Sequence, residues 1–177
     1  MDLLNIEIET ERLRLIPVSE KYLEDIFKEF SPEIVTYMVP KPAEKIEETD
    51  TFISSTIENM KKGEEIVLSI LKKDSGEFVG ITGLHYIDTL HPHFGVWTKK
   101  SSHGNKYGRE ALQGFKKWAD ENIKYEYIVY PVDKRNIASR KIAESIGGVI
   151  EDEYEKVGMG GQQLDEVEYR IYKNKSD

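Results

Sequence analysis

The chain has 177 residues and no cysteine, which excludes a disulfide framework, a thiolate metal site and a cysteine nucleophile. Its formal net charge of −8 argues against nonspecific nucleic-acid binding and suits a cationic substrate, although many proteins are acidic for solubility alone. No apolar run approaches the roughly 20 residues of a membrane span, and no signal peptide is visible. We therefore expect one cytoplasmic domain over residues 1–177, with neither a membrane nor a nucleic-acid partner.

The first third of the chain predicts one strand followed by helices. Residues 12–16 have the composition of a strand, and Ser19 can N-cap the helix that follows it. Pro32 suits the first position of a further short helix. Residues 43–62 then predict an amphipathic helix that ends near Gly63.

The middle of the chain predicts a strand pair and then a strand, a loop and a helix. The pair covers residues 65–71 and 77–86, joined by a Lys-Asp-Ser-Gly turn. A β-prone run over residues 94–98 leads through a loop with two glycines into an amphipathic helix. The free N–H groups and the dipole of a helix N-terminus attract anions, so we expect a phosphorylated ligand at this loop. The loop lacks the endings and spacings of a P-loop or a dinucleotide fingerprint.

The last third predicts a strand over residues 125–131, a helix over residues 136–146 and two closing strands. Asn136 is a suitable N-cap for that helix. Residues 158–161, Gly-Met-Gly-Gly, form the connection between the closing strands. This alternation of strands and helices, without internal repeats, predicts a mixed α/β domain.

The glycine loop resembles that of a known family. Residues 103–108, His-Gly-Asn-Lys-Tyr-Gly, are similar to the pyrophosphate loop Gln/Arg-x-x-Gly-x-Gly/Ala of the GCN5-related N-acetyltransferases (GNAT). Glu110 and Ala111 follow as in the ribosomal-protein (RimJ/RimL-type) branch. His103 stands in place of Gln/Arg, and Lys106 stands in place of the central glycine. Lys106 fits only if its φ is allowed there, and its ammonium group could then contact phosphate.

Three further segments resemble the same branch, in the same order along the chain. Residues 9–15 are similar to its first strand, and residues 132–141 contain the Asn-x-x-Ser pattern that opens its last helix. The family's closing strand has a Gly…Asp…Tyr pattern, found here at Gly161, Asp165 and Tyr169. The helix ends in Gly-Gly where the family has Gly-Phe. The resemblance implies the GNAT fold, a mostly antiparallel twisted sheet with a splayed parallel strand pair, flanked by helices.

The resemblance also implies an activity and a site. The activity is transfer of an acetyl group from acetyl-CoA to a primary amine, without a metal. The implied coenzyme contacts are Val96, Trp97, Thr98, His103, Gly104, Asn105, Lys106, Tyr107, Gly108 and Asn136. A backbone N–H within residues 96–98 would stabilise negative charge on the acetyl oxygen. Ser139 would protonate or hydrogen-bond the departing thiolate.

His93 is the main candidate for a general base. It lies two residues before Gly95, where the branch often carries glutamate, and an imidazole with a pKa of about 6.5 accepts protons at neutral pH. The alternative is that His93 is only an exposed residue at the end of its strand. His91 and His93 have no third metal ligand at motif spacing, so we expect no metal. Glu110 is better explained as favourable charge in a first helical turn, and His85 is a weaker candidate.

Other roles stay open. Lys134, Arg135, Arg140 and Lys141 either meet the 3′-phosphate of the coenzyme or form a solvated helix face. Residues 37–42 match a region that covers the acceptor pocket in the family. The acceptor could be a protein N-terminus or a small-molecule amine, and a homodimer is possible. Alternatives to the enzyme are a non-catalytic acyl-CoA-binding or regulatory domain and an unrelated module that binds another phosphate.

Overall fold

The computed structural model describes residues 1–174, which form a mixed α/β fold. The strands are β1 (Ile8–Glu9), β2 (Leu13–Pro17), β3 (Glu65–Lys72), β4 (Phe78–His85), β5 (His93–Thr98), β6 (Tyr127–Asp133), β7 (Val149–Val157) and β8 (Gln163–Tyr172). The α-helices are α1 (Leu23–Glu29), α2 (Ile46–Lys62), α3 (Tyr107–Asn122) and α4 (Ile137–Ser145).

All eight strands lie in one sheet, in the order β1-β2-β3-β4-β5-β6-β8-β7. Every neighbouring pair is antiparallel except β5 and β6, which are parallel. The parallel pair is joined at one register position, His93 opposite Val129, and the two strands separate beyond it. The predicted fold class, with its splayed parallel pair, is confirmed.

Apolar side chains cover both faces of the sheet. On one face, Leu112 and Phe115 of α3 are fully buried, and the Phe115 ring meets Phe94 of β5 with the ring centroids 5.3 Å apart. On the other face, Ile26 of α1 and Ile53 of α2 belong to a second buried cluster. Because helices cover both faces, the central strands are almost continuously apolar.

Three local predictions in the first third were wrong. Ser19 makes no side-chain capping bond; a 3₁₀ turn over Glu20–Tyr22 follows it, and α1 begins only at Leu23. Residues 32–37 form turns rather than a helix, and α2 begins at Ile46 instead of residue 43. The Glu48 carboxylate accepts the N–H groups of Glu44 and Lys45 at 2.6 and 2.9 Å, which caps α2 directly before Ile46. The predicted end of α2 is confirmed, since Gly63 has a left-handed φ of 76°.

Candidate active site

The separation of β5 from β6 opens a cavity of about 850 Å³ at the middle of the sheet. Its walls come from six parts of the chain. Five of these are residues 94–98 of β5, residues 130–132 of β6, the loop and helix start from residue 102 to 109, the first turns of α4, and the segment from residue 33 to 40. Glu166 of β8 completes the wall. The cavity therefore depends on contacts between segments far apart in sequence.

The backbone of β5 presents hydrogen-bonding groups to this cavity. The Val129 N–H donates to the Pro92 carbonyl on the β6 side, and the Lys99 N–H donates to the Val79 carbonyl on the β4 side, each at 2.8 Å. Since peptide groups alternate along a strand, those of Val96 and Thr98 face the β6 side. At Val96 the two strands are already apart, so its N–H is directed into the cleft.

The glycine loop keeps a glycine-like backbone at Lys106. Gly104 has a φ of 85°, and Lys106, which precedes α3, has φ 59° and ψ 28°. Lys106 therefore adopts the left-handed conformation, at a cost of roughly 1–2 kcal/mol for a residue with a Cβ atom. The His103 Nε2 lies 2.9 Å from the Thr98 carbonyl oxygen and donates to it, which ties the loop to the end of β5. The Asn105 side chain bonds back to the Ser102 carbonyl at 3.0 Å.

Glu110 joins the helix start to the N-terminal segment. Its carboxylate accepts hydrogen bonds from the Thr10 hydroxyl at 2.6 Å and from the Arg12 N–H and Nε, each at 2.7 Å. Arg12 also donates to the Asn105 carbonyl at 2.9 Å. Burial opposes ionisation of Glu110, but the bonds from Thr10 and Arg12 outweigh it and lower the pKa of this carboxyl. Glu110 therefore connects the glycine loop and the start of α3 to the N-terminal segment.

The start of α4 brings a hydroxyl pair to the cavity. The Asn136 Oδ1 accepts the Ser139 N–H at 3.2 Å, which confirms Asn136 as the N-cap. The Ser139 hydroxyl lies 2.7 Å from the hydroxyl of Tyr130, a buried residue of β6. Burial raises the pKa of Tyr130 to about 12, so its phenol is neutral and can donate at neutral pH. Tyr130 was not predicted as a site residue because it has the pattern of an ordinary core residue.

Cationic groups lie at the loop end of the cavity. Lys106, Arg109 and Lys141 all belong to the wall. The Arg109 Nε is buried and has no hydrogen-bond partner within residues 1–174. An unpaired buried donor is costly, so this nitrogen favours a bound acceptor group such as a phosphate oxygen. Arg109 was not predicted as a site residue from the sequence.

The other three residues of the predicted basic cluster bind protein groups. Lys134 pairs with Glu153 at 3.0 Å, and the Arg135 Nε pairs with Asp133 at 2.8 Å. Arg140 donates to the Tyr169 hydroxyl at 3.1 Å. These interactions explain their positions without a ligand.

The cavity wall also has an acidic group and a tethered cover. The cover, residues 33–40, is held by the Met159 N–H, which donates to the Val39 carbonyl at 2.7 Å, and by Gln162, which donates to the Met38 carbonyl at 2.6 Å. Glu166 borders the cavity although the residue is only 4% exposed. Burial raises the pKa of this carboxyl above its usual value. Glu166 was missed because an acidic residue in an alternating strand usually faces solvent.

Two predicted site residues do not border the cavity. Asn105 turns back into its loop, and His93 lies at the start of β5 with the Tyr86 ring edge-on at a centroid distance of 5.1 Å. Burial lowers the pKa of His93, so its imidazole is neutral at neutral pH. The remaining predicted residues line the wall: Val96, Trp97, Thr98, His103, Gly104, Lys106, Tyr107, Gly108, Asn136 and Ser139. Within residues 1–174, no three His, Asp or Glu side chains are grouped as a metal would require.

The sequence profile of the acetyltransferase (GNAT) domain matches residues 12–149. The chain belongs to this family. The predicted family and enzyme class are thus confirmed. Comparison by sequence with curated proteins gave no match, and none of the helices in residues 1–174 is long and apolar enough to cross a membrane.

Solved structures share the GNAT fold over nearly the whole chain. An acetyltransferase (GNAT family) from Bacillus anthracis is 21% identical, with a TM-score of 0.82, and the match covers 96% of this chain and 100% of that one. The ribosomal-protein-S5-alanine acetyltransferase from Vibrio fischeri is 16% identical, with a TM-score of 0.81 and coverages of 98% and 100%. The microcin C7 self-immunity acetyltransferase MccE, solved with acetyl-CoA and AMP, is 17% identical, with a TM-score of 0.80 and coverages of 92% and 93%.

Proposed function

We propose that this GNAT protein transfers the acetyl group of acetyl-CoA to a primary amine on a protein N-terminus or a small molecule. The main support is the cavity itself, whose wall carries an unpaired donor, cationic groups and a buried carboxyl group. The same cavity can therefore hold an anionic coenzyme and a cationic acceptor. Structural relatives named for ribosomal proteins and for microcin immunity are consistent with either kind of acceptor.

The residues at the loop end fit coenzyme A. The orphaned Arg109 Nε requires an acceptor, and Lys106 and Lys141 supply positive charge for phosphates. The edge of β5 offers the Val96 peptide to the amide-containing arm of the coenzyme. Bound acetyl-CoA supplies a thioester, whose carbonyl carbon is open to attack by an amine.

The residues at the centre of the cavity assist that attack. The Val96 N–H is an ordered donor for negative charge that develops on the acetyl oxygen, a contribution of roughly 2.7–4 kcal/mol in comparable acyl-transfer sites. The Ser139 hydroxyl can donate to the departing sulfur, while the Tyr130 phenol donates to the Ser139 oxygen from behind. All three groups belong to the backbone or to packed elements, so little reorganisation is needed during the reaction.

Two measurements test the proposal. Calorimetric titration with acetyl-CoA should show binding to one site, and thiol release with an amine panel should yield products heavier by one acetyl group in mass spectra. Binding without thiol release would favour the non-catalytic acyl-CoA-binding domain. Absence of binding would favour a module for another phosphate ligand.

A further inference from the structure

Glu166 is a buried carboxylate that no protein group satisfies. No hydrogen bond or ion pair to its side chain is present within residues 1–174, and the residue is 4% exposed. The carboxyl group borders the cavity, where a ligand can reach it. A buried charge without a partner costs several kcal/mol in general, so a cation in the cavity would be stabilised here.

The groups that neighbour Glu166 on β6, β7 and β8 do not supply a counter-charge that pairs with it. On β7, Tyr154 lies opposite Glu166, and the charge of Lys156 favours ionisation without forming an ion pair. On β6, Asp133 lies opposite Glu166 and repels it, but Asp133 itself is neutralised by two bonds from Arg135 at 2.8 and 2.9 Å. Next to Glu166 on the same face of β8, Glu168 pairs with Arg170 at 3.2 Å. Burial and Asp133 raise the pKa of Glu166, and Lys156 lowers it in part.

Other parts of the cavity wall are apolar. Trp97 and Pro131 line the sheet side, and Tyr37, Met38 and Pro40 line the cover. Such a wall accommodates hydrocarbon, whereas Glu166 accommodates a positive charge. The pair of features matches a primary ammonium group carried on an apolar stem.

We propose that the acceptor enters as a primary ammonium ion, pairs with Glu166 and gives its proton to that carboxylate. The inference rests on the proposed function and specifies the substrate class and the proton acceptor. In this role Glu166 replaces His93, which lies outside the cavity wall.

The atoms balance as follows. One N–H bond of the ammonium breaks, and its proton goes to a Glu166 oxygen. The freed electron pair on nitrogen forms the bond to the acetyl carbon, and the carbon–sulfur bond of the thioester breaks with its electrons on sulfur. A second proton leaves the nitrogen and reaches sulfur through the Ser139 hydroxyl. The products are an amide and a thiol, and Glu166 returns the first proton to solvent.

The test compares Glu166→Gln with wild type and with Glu151→Gln, a matched change of an exposed carboxylate on β7. Glu166→Gln should raise KM for alkylamines and lower kcat/KM roughly 10²–10⁴-fold, while the Kd for acetyl-CoA stays the same. The loss should shrink for a weakly basic amine that is already neutral at the assay pH. Glu151→Gln should behave as wild type.

Further readouts separate chemistry from folding. The melting temperature of Glu166→Gln should stay level or rise, because the variant no longer buries a charge. Glu166→Asp should keep the shape of the pH–rate profile at a lower rate, whereas Glu166→Gln should lose its carboxylate inflection. Wild-type kinetics in Glu166→Gln would overturn this inference alone, since thiol release by the wild type already decides the proposed function.

Discussion

The hydrogen bond between Ser139 and Tyr130 makes Ser139→Ala more disruptive than its place in a first helical turn indicates. The cap bond is kept, because Asn136 remains. However, the buried Tyr130 hydroxyl loses its partner at 2.7 Å. An unsatisfied buried hydroxyl costs about 1–3 kcal/mol, so the free energy of unfolding should fall within that range.

Tyr130→Phe supplies the other half of a double-mutant cycle. It leaves the Ser139 oxygen at the cavity wall, where water can replace the lost bond, so we expect a smaller loss of about 0.5–1.5 kcal/mol. The double variant removes both partners together and should cost less than the sum of the single changes. A coupling of at least about 0.5 kcal/mol is expected for groups in direct contact.

Urea denaturation of the four proteins measures these stabilities, and single-turnover acetyl transfer measures the chemical step. If Ser139 donates to sulfur, Ser139→Ala slows that step while the Kd for acetyl-CoA stays near its wild-type value. Tyr130→Phe should slow it less, because the serine hydroxyl is still present. Additive stability losses would refute the hydrogen bond, and a normal single-turnover rate in Ser139→Ala would refute the role of the serine.

Three further substitutions test other residues predicted for the site. A Cβ atom at Gly108 would lie 3.2 Å from the Ile142 Cδ1. Gly108→Val should therefore weaken acetyl-CoA binding at least about tenfold (about 1.4 kcal/mol), as measured by calorimetry. Unchanged affinity in a folded variant would show that this loop does not belong to the site. Lys106→Gly should raise the free energy of unfolding, measured in urea, by up to about 1 kcal/mol, since glycine adopts a φ of 59° freely. A lower free energy of unfolding would mean that the lysine ammonium group stabilises the fold by more than the backbone strain costs. His93→Ala should retain the pH–rate profile if Glu166 is the base; a loss of roughly 10²–10⁴-fold at unchanged coenzyme affinity would instead support His93.

Much of the fold could be predicted from local patterns. The glycine loop, the amphipathic helix after it and the Asn136 cap depend on residues close together in sequence, so they are visible without tertiary structure. An error occurred at Pro32, where a favourable first helical position predicted a helix but residues 32–37 form turns. Lys106 shows the limit of this approach, since only the folded loop shows that a lysine holds the left-handed backbone.

The family, most of the strands and helices in their order, and the glycine loop are recognisable from the sequence alone, because they follow from periodicity and contiguous motifs. The tertiary structure decided which side chains share the cavity. Tyr130 and Glu166 have the pattern of a core residue and a surface residue, and only the separation of two strands brings both to the same wall. Burial then gives Glu166 its chemical character, because the cost of an unpaired charge depends on the surroundings that distant segments provide.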